Sequence, residues 1–479
     1  MNNNKINWDN VKREAPEWFR DAKFGLFFHW GPYCVPACEN EWYSRNIYAK
    51  GSSQNIHHVE TYGNLSEFGY KDFYDKLEGE KFDPKEWADL VVRSGAKYAG
   101  PVTEHADNFS MWDSKVNPIN SVNYGPKRDV VGECVDAFRK RDIKILATFH
   151  HQWLWGWFMS SDPEADVYVP ENEIYYGKAL PLETSRYAPY RLPDQAFNTT
   201  WKDKVVEVIE NYKPDVIYFD SRTNIIGEEY RYDIADFYYN KSGQEDTIIT
   251  YKQEDFPDEM GVLDIECGRF STAKSFPWQT DDRLEDNITW SIVQDPKYKS
   301  AQKIIHQLCD IVAKNGNLLL NVGPKADGSF HEDAKEILYR VGDWLKICGD
   351  AIYGTRPYRI AAEGPTSVED ANYDVNHIQN QLENDGIASG IDSDIFTSKD
   401  FRFTAKGNAV YAIALGWPED QILTIHALSK SKQSDTIKSV SLLGSPEELK
   451  FTQTEQGLIV TLPATKPCDH AFALKVIMA

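Results

Sequence analysis

Residues 23–32 read KFGLFFHWGP, an apolar run that stops on a histidine and an indole before a Gly-Pro breaker. A buried strand ordinarily closes on another apolar residue or on a neutral turn residue. Here it closes on chemistry, and the pattern recurs along the chain. AKYAGPV (96–102) stops at Thr103, Glu104 and His105, IKILATF (143–149) at His150 and His151, and DVIYF (215–219) at Asp220. TIITY (247–251) stops at Lys252, VLDI (262–265) at Glu266 and GNLLL (316–320) at Asn321. So many repetitions describe an architecture.

Helical patterns separate many of these runs. Asp83-Pro84 opens one with Trp87, Leu90 and Val91 on a single face, and others follow over 130–141, 201–212, 300–314 and 331–347. Strand and helix in alternation predict a parallel sheet. About eight such units close into a barrel of ~250 residues or more, with its chemistry at the carboxyl ends of the strands. By that logic His29 belongs to a ring of functional groups. Near Ile352 the texture changes: TRPYRIAAEGP breaks the helical pattern and a charged, loop-like stretch runs to about residue 398. FRFTA, AVYAIAL, ILTIHAL, IKSVSLL, LIVTL and FALKVIM then alternate between turn residues, as antiparallel strands with one polar face do. The expected fold is α/β, a (β/α)8-type (TIM-like) barrel over 1–355 followed by a carboxyl-terminal antiparallel β-sandwich over 356–479.

Composition sets the outer limits. With 479 residues, 41% hydrophobic and 26% charged, the chain can bury a large core and suits a barrel plus one accessory module. Its 14 tryptophans exceed what a core needs, and surplus indoles line grooves for ligands with apolar and polar faces. A net charge of -22 disfavours nucleic acid and anionic membranes as partners. The seven cysteines (34, 38, 134, 267, 309, 348 and 468) are scattered without a CxxC pair, so free thiols are expected, not a disulfide framework or a structural zinc site. The amino end lacks an apolar h-region and no stretch is long enough to span a bilayer. A periplasmic or secreted protein with its signal peptide removed is expected, and the sequence leaves the cytoplasm open as the alternative.

Carboxylates, histidines and indoles around one opening suit glycoside cleavage, which needs one carboxylate as nucleophile or base and one carboxylic acid. Asp220 ends the most hydrophobic run and is the nucleophile candidate, although an Asp after a strand also caps turns. Glu266 is the proton donor candidate, although Arg269 nearby offers it a structural ion pair. Adjacent residues on a strand face opposite ways, so at most one of His150 and His151 enters the mouth. Hydrogen bonding to sugar hydroxyls is a simpler role for it than metal ligation. GPKADGS (323–329) lacks the lysine that would reach a phosphate, and HEDAK (331–335) lacks the second histidine of a zinc peptidase.

WFRDAKFGLFFHWGPYCVPACENEWYSRNIY, KYAGPVTEHADNFSMWDS, YKPDVIYFDS and NGNLLLNVGPKADGSF, taken in order from Trp18, resemble the α-L-fucosidases of glycoside hydrolase family 29. The resemblance implies retaining hydrolysis of terminal α-L-fucosyl residues of fucosylated glycans, without cofactor or metal. It puts the nucleophile at Asp220 and the acid/base at Glu266, because Gln279 follows Trp278 where some members carry a glutamate; Glu285 is the second choice, as a loop carboxylate able to swing in. His29, Glu41, Trp42, His105, one of His150 and His151, Lys252 and Trp278 are the implied sugar-binding set. Ala106 and Asn108 depart from the family's usual histidine and glycine, and Lys252 replaces a common arginine. Two other functions fit the same residues: an exo-glycosidase for α-L-galactosides or sulfated fucans, and a carbohydrate-binding protein without catalysis.

Overall fold

The computed structural model describes residues 6–180, 192–366, 396–432 and 436–479. Eight parallel strands form a closed barrel: β1 (Phe24–Phe28), β2 (Tyr98–Glu104), β3 (Lys144–Phe149), β4 (Val216–Phe219), β5 (Ile248–Lys252), β6 (Val262–Asp264), β7 (Trp278–Arg283) and β8 (Gly316–Asn321). β1 pairs with both β2 and β8, which closes the ring. Helices α1 (Pro84–Ser94), α2 (Val130–Arg139), α3 (Gln195–Tyr212), α4 (Glu228–Asp236), α5 (Ala301–Ala313) and α6 (Glu332–Cys348) coat it. α3 begins six residues before the predicted 201, because Asp194 caps it by accepting from Phe197 N at 3.0 Å.

The strands face two cores at once, which is why they read as unbroken apolar runs. Phe27, Tyr98, Val102, Leu146, Val216, Tyr218, Ile248, Val262 and Leu319 fill the barrel, with Phe19 among them. Phe24, Leu26 and Phe28 pack outward against the helices. Gly25 makes room for Tyr98 inside the ring, since a Cβ there would meet the tyrosine ring at 2.4 Å.

Strand β7 was not predicted. Its sequence, WQTDDR, looks like a surface loop, yet every residue of it is buried. Partners on both faces satisfy it. Inside the barrel Gln279 accepts from Tyr98 Oη at 2.8 Å and donates to Asp264 at 2.6 Å, while Tyr218 donates to Asp281 at 3.1 Å. Outside, Asp282 meets Lys299 at 2.8 Å and Gln307 at 2.6 Å. A polar strand whose carboxylates and amide are paired in this way is compatible with a core, and no hydrophobic pattern announces it.

The carboxyl-terminal part is a five-stranded antiparallel sheet facing a three-stranded one across a separate apolar core. The larger sheet begins at β9 (Arg356–Glu363), within the stretch read as the break, as a half-exposed edge strand containing Pro357. Residues 367–395 of the charged stretch lie outside the described residues. Arg402 from the sandwich meets Asp310 of α5 at 2.5 Å, and Lys314 meets the same carboxylate at 2.6 Å, all three buried. Breaking one member of such a group leaves a buried charge uncompensated. No helix among the described residues is long and apolar enough to cross a membrane.

Candidate active site

Side chains alternate along a strand, and this alternation aims the ring. In β1 the inward Phe27 makes the next inward position His29; in β4 the inward Val216 and Tyr218 make it Asp220. β3 does the same for His150 and turns His151 outward. β2 alone has the wrong parity, because Tyr98 and Val102 would bring Glu104 inward. The pairing of β2 with β3 is irregular between Val102 and Glu104. Glu104 thereby points out to Lys204 of α3, at 2.5 Å, and His105 points in. Asn108, at φ 64°, takes the left-handed conformation that a glycine adopts freely and asparagine tolerates.

His29, His105 and His150 form one buried group, with ring centroids 5.0–5.7 Å apart. Asn321 at the end of β8 sits 2.7 Å from His29 Nδ1, and its amide nitrogen donates to Trp290 O at 2.5 Å. Burial, reinforced by His150, pushes His29 down to about 3, and burial places His105 well below the ordinary histidine range. Both imidazoles are neutral at neutral pH.

His150 Nδ1 lies 3.2 Å from Asp220 Oδ2, whose side chain is 19% exposed. Gln152 fixes the same turn by donating to the carbonyls of Asp220 (2.7 Å) and Ser221 (2.9 Å). Burial works against ionisation of Asp220, yet His150 and Lys252 hold its carboxyl below the usual carboxylate range. Glu266, half-buried two residues beyond β6, has the opposite character. Burial pushes its carboxyl up to about 8; Lys252 opposes the rise, and the charges of Asp281 and Asp220 add to it. Glu41, in the loop after β1, is buried and accepts from Trp290 N at 2.8 Å. Trp42 forms an aromatic wall with Trp153 and Trp157, at centroid distances of 5.5 and 4.7 Å.

Four sequence expectations are corrected. Trp278 is absent from the mouth: it opens β7 at the far end of the barrel, is fully buried, and donates to Lys314 O at 2.9 Å. His151 stacks on Trp201 at 5.6 Å and 15°, between barrel and helix, so His150 is the histidine that enters. Lys252 does not present a free ammonium to a sugar, because it pairs with Asp264 at 2.6 Å and with Asp281 inside the barrel. Glu285 is no mobile loop carboxylate; it is fully buried, bridged to Tyr298, and accepts from Gly323 N at 3.1 Å. Three neighbours of the site were given no role from sequence: Trp290, Gln152 and Asn321. Only Asn321 carried a signal, as the residue that ends a strand of the ring.

An ionised carboxylate and a carboxylic acid that stays protonated at neutral pH are what acetal cleavage requires, and a barrel carrying both at its strand ends has the make-up of a glycoside hydrolase. Comparison with known proteins gives the particular family. The family model described as "Alpha-L-fucosidase" matches residues 2–350, and the "Alpha-L-fucosidase C-terminal domain" matches residues 394–477. The tissue alpha-L-fucosidase of Rattus norvegicus is 29% identical over 496 residues, covering 98% of this chain and 91% of that protein. The Homo sapiens enzyme is 29% identical over 497 residues, with the same two coverages. The crystal structure of Thermotoga maritima alpha-fucosidase in complex with fucose superposes with a TM-score of 0.70 at 27% identity, covering 97% of each chain. The complex of the same enzyme with a mechanism-based inhibitor gives 0.73, with equal identity and coverage. The chain belongs to the alpha-L-fucosidase family and is a glycoside hydrolase acting on fucosyl glycans.

His29→Ala is expected to lower kcat/KM for an aryl fucoside by about 10- to 100-fold, the value of one or two hydrogen bonds at about 1–1.5 kcal/mol each. Steady-state kinetics beside a thermal melt checks this. Unchanged kinetics with a collapsed melting temperature would make His29 a packing residue only.

Proposed function

We propose that this protein is a retaining exo-α-L-fucosidase that removes terminal α-L-fucosyl residues by double displacement, with residues 1–355 as its catalytic unit and 356–479 as an accessory sandwich. The observation that carries the reading is the divergence of two carboxyl groups at the strand ends, Asp220 ionised and Glu266 held protonated up to about 8. Asp220 attacks the anomeric carbon while Glu266 gives its proton to the departing oxygen, leaving a β-linked glycosyl-Asp220. Glu266, now a carboxylate, takes a proton from water, and that water displaces Asp220 with net retention. Neutral His29 and His105, together with His150, exchange hydrogen bonds with the sugar hydroxyls, and Glu41 and Trp42 border the ring. Lys252 acts from below, where its charge favours the carboxylate of Asp220 and moderates the rise at Glu266. A cofactor has no part in this chemistry, and the excess negative charge argues against nucleic acid as a partner.

The test is the pH and substrate dependence of turnover. A donor acid must be protonated in the free enzyme, so kcat/KM for a nitrophenyl α-L-fucoside is expected to hold below pH 8 and fall above it, with an apparent pKa of about 8. The matching α-L-galactoside, which adds one hydroxyl, is expected to react about 10- to 100-fold more slowly, since apolar pockets reject such groups only modestly. A preference for the galactoside would replace the fucoside reading. No turnover of either would leave a carbohydrate-binding protein.

A further inference from the structure

We infer that His29, His105 and His150 form a binding site for a divalent transition metal of the zinc class, which excludes the sugar when occupied. The three come from the ends of consecutive strands β1, β2 and β3, and one ring nitrogen of each lies within 4.8 Å of the others. Hydrogen bonding fixes which nitrogens are free. The Asn321 amide nitrogen is engaged by Trp290 O, so its oxygen faces His29, and His29 Nδ1 must carry the proton it donates there. Its Nε2 keeps a lone pair. His150 likewise turns Nδ1 to the Asp220 carboxylate, and its Nε2 is buried with no hydrogen-bond partner among the described residues. His105 Nδ1 is also buried without a partner among them.

His29 and His150 thus have the arrangement of metal-bound histidine, in which one ring nitrogen donates to a carboxylate or carbonyl oxygen and the other is left for the ion. Imidazole donors select zinc, copper or nickel over magnesium and calcium, which take oxygen ligands. Three protein nitrogens match the ligand count of a zinc site that keeps one position for water or substrate. An ion centred in a triangle with 4.8 Å edges stands about 2.8 Å from each nitrogen, against zinc–nitrogen bonds of about 2.0–2.1 Å, so each ring closes inward by roughly 0.7 Å. The resemblance to metal-free hydrolases is not disturbed, because this ion blocks the reaction instead of serving it.

Zinc binding itself is independent of the fucoside reading, whereas competition with fucose rests on it. Calorimetry of the chelator-stripped full chain with zinc chloride, without sugar, is expected to give one ion per chain. His105→Ala and His150→Ala, each checked by thermal melting, are expected to weaken zinc by more than the about 10- to 100-fold that loss of an outer-shell partner costs. Asn321→Ala is expected to fall within that smaller range. If the histidine variants do not fold, cobalt added to the unaltered chain decides: intense visible bands of tetrahedral coordination are expected, and only the weak bands of aqueous cobalt would overturn the site. With zinc tenfold above its dissociation constant and fucoside below KM, the rate is expected to drop about tenfold and to recover with EDTA. No heat of zinc binding, or affinity unchanged in folded histidine variants, would overturn the proposal. Zinc that binds but is not displaced by L-fucose, at a concentration of L-fucose that inhibits turnover, would place the ion elsewhere and overturn it as well.

Discussion

Asp220→Asn is expected to lower kcat on an aryl α-L-fucoside by about 10³- to 10⁵-fold, the usual scale for loss of a covalent nucleophile. The amide keeps the shape of the carboxylate and an oxygen able to accept from His150 Nδ1, now 3.2 Å away. The backbone of the turn is held separately, by the two bonds from Gln152. The melting temperature should therefore change little, and fucose should still bind. Because the charge of Asp220 also raises the Glu266 carboxyl, the residual activity should lose its high-pH limb at a lower pH than the parent. Activity within tenfold of the parent would end the assignment of Asp220.

Glu266→Ala carries the second large effect, and it depends on the leaving group. A general acid matters in proportion to the basicity of the departing oxygen. Natural fucosyl oligosaccharides should be cleaved about 10²- to 10⁴-fold more slowly, the range for general acid–base catalysis. A dinitrophenyl fucoside should still fucosylate Asp220 and then stall, since no base activates the water. Azide needs no base, so it should restore the rate by attacking the β-linked intermediate, and the product should be the α-fucosyl azide. A β-fucosyl azide would mean that the two carboxylates exchange roles. Rescue in Glu285→Ala instead of Glu266→Ala would move the acid to Glu285, although its carboxylate is fully buried and accepts from Gly323 N.

Much of the fold was legible because barrel strands are apolar on both faces, and the runs ending in His29, His150, Asp220 and Asn321 mark the strand ends directly. The position of each functional residue one step beyond a strand followed from the same runs. What sequence could not give was pairing between distant polar groups. β7 is invisible as a strand because its stability comes from Tyr98, Tyr218, Asp264, Lys299 and Gln307, residues up to 181 positions away. For the same reason Lys252 looked like a free cation at a strand end, when two buried carboxylates hold it. Trp278 was misplaced because β7 was not seen: a residue that opens a strand stands at the opposite end of the barrel from its chemistry. The irregularity in β2 is also silent in sequence, and without it His105 would face the helices. The carboxyl-terminal sandwich was read from plain alternation, which β9 lacks at an exposed, proline-containing edge.

The account turns on a covalent fucosyl-Asp220 paired with a protonated Glu266. A 2-deoxy-2-fluoro-fucosyl fluoride forms that intermediate readily, and the fluorine slows its hydrolysis, so the adduct accumulates. Peptide mass spectrometry after incubation should find one fluorofucosyl group, on the peptide that contains Asp220, with activity lost in step with labelling. An adduct on Glu266 or Glu285, or steady turnover of natural fucosides without any adduct, would contradict the account.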